Sequence, residues 1–263
     1  MMKMTIHEEV VEAVILKKTP YKENDMILHI YSHEYGKMCV MARGIRKMTS
    51  KNARGCQEMM LSELTIALKK GMSTLIKATP LDYFRHIEEN LESEIVGQYI
   101  LEYFYRYVED NQPLEKEYRM LYEALHALDL GYPPLLVYLL FNVFILEHNG
   151  VSLDVDGCVL CGSPQVVSIS LEDGGFLCSK HIGHHQPYSQ DILKAFRHIH
   201  KIPIDARHID YQSVQGVEKL LKDINHLHIS SSAIQVLVPL MESLIEEYTG
   251  IQLKTSRFIH QIV

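Results

Sequence analysis

No segment of this 263-residue sequence supplies the roughly 20 consecutive apolar residues that a membrane-crossing helix requires. Its most apolar stretch, Leu135 to Leu146, is about half that length and is interrupted by Asn142, so it predicts a buried core helix. A secretory leader is not expected either, because His7, Glu8 and Glu9 stand where an unbroken apolar stretch would be needed. Cysteine is scarce and odd in number. Of the five, three sit in a metal-like pattern, which fits a reducing, cytoplasmic setting better than a disulfide framework. Cys39 and Cys56 are then expected as ordinary thiols packed like small hydrophobes. The sequence has no internal repeat and no low-complexity tract. With 47% hydrophobic and 22% charged residues it is neither disordered nor fibrous, and its length favours two ordinary domains.

Net positive charge is also absent, since the formal total is −7, but the charge is unevenly spread. Up to residue 80 there are 13 basic against 8 acidic residues, a net +5, which leaves −12 for the remainder. Such asymmetry points to nucleic-acid contact by the basic part and to folding and protein contacts by the acidic part.

The first 80 residues read as five short β-branched, apolar runs: Val10 to Leu16, Met26 to Tyr31, Lys37 to Ala42, Met59 to Leu68 and Ser73 to Thr79. Asn24-Asp25, Glu34 to Gly36 and Lys70-Gly71 break the runs, and Gly44 to Gln57 is one long polar and basic connection. Five strands with one such connection suit an OB-type barrel, and an SH3-like barrel fits the strand count nearly as well. Beyond Pro80 the period becomes helical. Leu91, Ile95, Tyr99, Tyr103 and Tyr107, with Val96, Ile100, Phe104 and Val108, predict one long helix. Its aromatic stripe is core rather than a base-stacking platform, since burying each ring is worth a few kcal/mol. Further helices are expected at Leu114 to Leu130, from Pro133-Pro134 to just before Gly150, at Ser189 to His200, and at Val214 to Leu227. A last one covers Ile234 to Tyr248, kinked at or beginning at Pro239, and ends at Gly250. The chain is therefore expected to be α+β, with a barrel over 1–80 and a mainly helical domain over 81–263.

Inside the helical region, Cys158 and Cys161 form one C-x2-C pair, and Cys178 with His181 form a C-x2-H pair after sixteen residues. Zinc takes four sulfur or nitrogen ligands in a tetrahedron, and a two-residue gap lets one tight turn aim two of them at the same ion. Val166 to Leu171 and the turn Glu172 to Gly175 supply a hairpin that brings the pairs together, so one zinc-finger-like insertion is expected at about 154–186. His184 or His185 could replace His181 as the fourth ligand. Four protein ligands leave no open position for water, which makes the expected zinc structural. The catalytic rival is a zinc-dependent nucleic-acid hydrolase or deaminase, whose H-x-E half is matched by His86 and Glu88. Gly157 stands where that pattern needs proline, and 70 residues separate Glu88 from Cys158, so no enzyme is expected. His198, His200, His226 and His228 lack a partner at metal spacing and read as surface or core histidines.

The cations Arg43, Arg46, Lys47, Lys51 and Arg54 crowd the long connection, Lys17, Lys18 and Lys22 follow the first strand, and Lys37 opens the third. Placed there, they are candidates for binding DNA phosphates in a salt-sensitive way, without reading sequence.

The order and spacing of further segments resemble the bacterial RecO family of recombination mediators. They are Ala13 to Leu16, Tyr21 to Asp25, Gly36-Lys37, Ala42 to Arg46 with Ser50, Asp156 to Gly162, Gly174 to Cys178, and the tail Tyr248 to Arg257. The likeness runs through most of the chain. It implies an N-terminal OB-fold, then a helical domain with a zinc-finger-like insertion. It also implies binding of single- and double-stranded DNA, annealing of complementary strands, and work with RecR and single-strand-binding protein to help load RecA. At His181 the chain departs from the family's commoner four-cysteine pattern.

Overall fold

The computed structural model describes residues 7–69, 71–201 and 229–263. The chain divides into two compact units, Met1–Gly131 with Leu253–Thr255, and Tyr132–Gln252 with Ser256–Val263.

In the first unit β1 (His7–Tyr21), β2 (Asp25–Ser32), β3 (Gly36–Ala42), β4 (Leu61–Leu68) and β5 (Ser73–Asp82) close into a barrel in the order β1-β2-β3-β5-β4. This is the five-stranded OB arrangement, sealed by a short parallel contact of Val40 with Ser73 and Met41 with Thr74. β1 is long because it serves two neighbours. His7 to Val14 pair with β4, Ala13 to Tyr21 pair with β2, and an irregularity between Ile15 and Lys17 bends the strand from one to the other. Alternate residues point inward, so Val11, Ala13, Ile15, Leu28, Ile30, Met38, Val40, Leu64 and Ile66 fill the interior.

The outer face of β2 and β3 is covered too. Three helices follow the barrel: α1 (Arg85–Glu89), separate from the one long helix expected there, α2 (Leu91–Tyr107) and α3 (Glu115–Asp129). The Asn90 side chain accepts the Ser93 amide at 3.0 Å and starts α2. Tyr99, Tyr103 and Phe104 are no more than 2% exposed, so the aromatic stripe is core as expected. Phe104 meets Tyr31 of β2 edge-on at 5.4 Å between ring centroids, and Tyr105 meets His29 at 4.9 Å. The buried Tyr31 phenol donates to the Glu117 carboxylate of α3. Desolvation, helped by that carboxylate, holds this phenol far above its ordinary range. Gly36, at φ +65°, turns β2 into β3; a Cβ there would lie 2.4 Å from the Gln112 carbonyl oxygen, so only glycine allows this approach.

The tail joins this unit through one carboxylate. Glu102 of α2 accepts the backbone amides of Lys254 and Thr255 at 3.0 and 2.9 Å and the Thr255 hydroxyl at 2.8 Å. Arg106 pairs with it at 2.8 Å. Burial would raise this carboxyl, but those hydrogen bonds outweigh burial and hold it below its ordinary value of 4.5. A depressed carboxylate stabilises the fold above the unfolded value and loses that contribution as pH falls through the folded one. Glu102→Ala should therefore destabilise the protein by about 1–3 kcal/mol at neutral pH. In denaturant titrations its deficit relative to wild type should shrink below pH 4.5; a constant deficit would refute the clamp.

The second unit is built on α4 (Pro134–His148), whose residues Leu136 to Leu146 are all buried, Asn142 among them. Asn142 donates its amide to the Tyr138 carbonyl at 3.0 Å, which satisfies its burial inside the apolar run. Proline opens the helix, and Gly150 follows it at φ +78°, as expected. A small sheet comes next: β6 (Asp154–Cys158), β7 (Val166–Ser170) and β8 (Gly175–Cys178), in the order β6-β8-β7. The β7–β8 hairpin was anticipated and β6 was not. α5 (Gln190–Lys201) and α6 (Ser231–Thr249) pack against α4, and α7 (Ser256–Ile259) ends the chain. Pro239 lies inside α6, which starts earlier, at the Ser230 cap, so the proline does not begin the helix. The helix expected at Val214 to Leu227, with His226 and His228, lies outside the described residues. Among the described residues, no helix is long and apolar enough to cross a membrane.

Candidate nucleic-acid interface and metal centre

The connection between β3 and β4 is long but anchored. The Gly44 amide donates to the Asp25 carboxylate at 2.7 Å, and the Arg46 amide to the Asn24 carbonyl at 3.1 Å, tying the connection to the β1–β2 turn. At its far end the Asn52 side chain donates to Ile76 O at 3.0 Å and accepts from the Ala78 amide at 3.2 Å, as a neighbouring strand would. Ile45 and Cys56 plug it into the barrel core. Burial pushes the Cys56 thiol up to about 12, which keeps it an inert packing group.

On this framework Arg43, Arg46, Lys47, Lys51 and Arg54 are exposed, and among the described residues none of them forms an ion pair. Lys22 is exposed in the adjoining turn, 5.5 Å from the Tyr21 ring centroid. Three other candidates have protein partners. Lys37 bonds the Tyr105 carbonyl and pairs with Asp110, both at 3.2 Å, and its side chain is only 13% exposed. Lys17 lies over the Tyr105 ring at 4.4 Å, and Lys18 bonds the Gln57 side chain at 2.6 Å. The β2–β3 face that OB-folds commonly offer to oligonucleotides thus carries the protein's own helices, and the unpaired cations lie on the loops.

The four metal-like residues come together in the second unit. His181 Nδ1 lies 3.4 Å from Cys158 Sγ and 3.5 Å from Cys178 Sγ, and Cys161 Sγ lies 3.8 Å from Cys178 Sγ. A tetrahedral ion with arms of about 2.3 Å to sulfur and about 2.0–2.1 Å to nitrogen has sulfur–sulfur edges of about 3.8 Å and sulfur–nitrogen edges of about 3.5 Å. The observed edges fit that figure. Two tight turns make it possible. The Cys161 and Gly162 amides donate to the Cys158 carbonyl, Gly162 reverses the chain at φ +71°, and the His181 amide donates to the Cys178 carbonyl at 3.0 Å. At Gly175 a Cβ would lie 2.2 Å from the Asp154 carbonyl oxygen, so glycine lets β6 approach β8.

Desolvation alone would raise the Cys158 thiol, but the Cys178 amide, the His181 ring and the amides of Leu160 and Cys161 bring it down to about 6. For Cys161 the Ser163 amide favours the thiolate, yet desolvation and the two neighbouring sulfurs raise it. Crowded sulfurs of this kind are what a cation relieves, and the cluster could hold a metal ion. His184 and His185 lie instead with Glu172. His86 and Glu88 belong to α1, in the first unit, and are not part of this cluster.

Family models described as Recombination protein O N terminal and C terminal match residues 4–84 and 88–257. The chain belongs to the RecO family. It is 28% identical over 253 residues to a protein of Bacillus mycoides named DNA repair protein RecO, with 96% of each chain covered. A namesake from Bacillus cytotoxicus is 27% identical and one from Bacillus cereus 28%, over the same shares. As a RecO-family member the chain is a DNA-repair protein rather than an enzyme. The RecO-like segments noted in the sequence have structural work in this fold. Gly36 is the close approach to Gln112, Asp25 anchors the Gly44 amide, and Lys254 and Thr255 are the residues clamped by Glu102. Sequence reasoning missed Glu102, because no local pattern ties a helix residue to a tail about 150 positions away.

Proposed function

We propose that this chain is a DNA-repair and homologous-recombination mediator. In this reading it binds single- and double-stranded DNA, anneals complementary strands, and helps load RecA together with RecR and single-strand-binding protein. The observation that carries it is the anchored, exposed set Arg43, Arg46, Lys47, Lys51 and Arg54, without ion partners among the described residues, to which Lys22 adds. Annealing needs no catalytic side chain; it requires neutralised phosphates and bases left free to pair, which cations on loops provide. Function divides at residue 80: residues 1–80 bear the DNA surface, and 81–263 hold the metal and meet protein partners. The ion is one structural zinc held by Cys158, Cys161, Cys178 and His181, with no position left for a catalytic water. The protein works in the cytoplasm, at the nucleoid.

Salt titration with a fluorescent single-stranded oligonucleotide tests the reading. Five phosphate contacts predict a slope of log affinity against log salt near −3.5, or about a hundredfold loss between 50 and 200 mM. A flat response sinks phosphate tracking as the mode of binding.

A further inference from the structure

We propose a second, solvent-facing metal site in the same insertion, formed by Glu172, His184 and His185 with Asp173 beside them. One imidazole nitrogen from each histidine and one Glu172 oxygen all lie within 4.8 Å of one another. His184 Nε2 is 3.9 Å from Glu172 Oε1. That is too long for hydrogen bonds, which close at about 2.7–3.2 Å. It lies within the span of one ion, whose arms of about 2.0–2.2 Å to nitrogen and oxygen reach donors up to about 4.2 Å apart.

Two turns present these groups. Glu172 and Asp173 occupy the β7–β8 turn, and the histidines follow Gly183, which bends the chain at φ +54°. The His185 amide donates to the Ile182 carbonyl at 2.9 Å and fixes this second turn. The buried Ser170 hydroxyl donates to Asp173 Oδ2 at 2.7 Å, accepts the Asp173 amide at 3.0 Å, and approaches His185 Nε2 at 3.3 Å. Ser170 thus presets one carboxylate and one imidazole, as supporting residues do around metal ligands. The His184 and His185 rings stack at 4.3 Å between centroids.

The donors are nitrogen and oxygen without sulfur, a set that suits borderline divalent ions such as zinc, cobalt and nickel. Glu172 and His184 are 68% and 77% exposed, so the site is open on one side. It exchanges its ion more readily than the Cys3His cluster, and its open side takes water or an anionic oxygen. Because both sites draw on residues 172–185, each ion braces the turns the other uses.

The test is zinc stoichiometry of untagged full-length protein by isothermal titration and elemental analysis, before and after a brief chelator wash. Wild type should bind two equivalents, one removed by the wash. His184→Ala combined with His185→Ala should remove the washable equivalent alone, and Glu172→Ala, at an exposed position, should weaken it at least about tenfold. Cys158→Ser, which melts the insertion, should remove both equivalents, whereas the double-histidine variant keeps the resistant one, so failure of either site is recognised separately. A wild type that binds no more zinc than the double-histidine variant, or a washable equivalent that survives in that variant, overturns the proposal.

Discussion

Cys158→Ser is expected to bring the resistant zinc below one equivalent per chain and to melt the insertion while leaving the barrel folded. The reason is the size of what remains without the ion. The buried cluster around the ligands is Cys158, Leu177 and Cys178, with Val159 packed against it, and Val155, Ile169 and Phe176 are buried as well. Each such side chain contributes at most a few kcal/mol, and two of them are ligands themselves. Structural zinc in small modules supplies apparent binding energies of about 10–16 kcal/mol at neutral pH, more than the cluster around the ligands contributes. A serine hydroxyl does not replace a thiolate, and Cys158 is 1% exposed, so the variant also leaves a polar group without its partner. Elemental analysis, hydrogen exchange over 154–186 and thermal melting read the loss, and a chelator applied to wild type should reproduce it. His181→Cys, which restores four sulfurs, should hold the ion, whereas His181→Ala should not. Full-length wild type purified without zinc, yet equally resistant to heat, would overturn the claim.

Much of this was legible because it is local. Strands β1 to β5 announce themselves by alternation and turns, and the two ligand pairs by a spacing that only a tight turn explains. What escaped is non-local. The covering of β2 and β3 by α2 and α3 decides the fate of Lys17 and Lys37, and basicity alone does not reveal it. A signal was present, however: Met26, Ile27, Leu28, Ile30 and Tyr31 make β2 apolar on both faces, the mark of a strand buried on both sides. Nothing local in the sequence marks Glu117 of α3 as buried, yet the Tyr31 hydroxyl donates to it. β6 escaped for a different reason. Its residues Asp154 to Cys158 include two aspartates and a glycine, and only pairing with β8 makes them a strand.

Arg43→Ala, Arg46→Ala and Lys47→Ala combined are expected to lower affinity for single-stranded DNA about a hundredfold at 0.1 M salt and to flatten the salt slope by about 2. Both figures follow from removing three phosphate contacts, since each releases about 0.7 of a counterion from a single strand. The loss should be the same for every sequence, because these cations have no structural means of reading bases, and annealing rates should fall with it. Folding should hardly change. The three side chains are exposed, and the loop is held by the Gly44 and Arg46 backbone amides and by Asn52, all of which survive the substitutions. Lys37→Ala supplies the contrast. Its partners are Tyr105 O and Asp110, so it should cost stability and leave the salt slope in place. If the triple variant keeps wild-type affinity, or Lys37→Ala alone flattens the slope, DNA is not held by Arg43, Arg46 and Lys47.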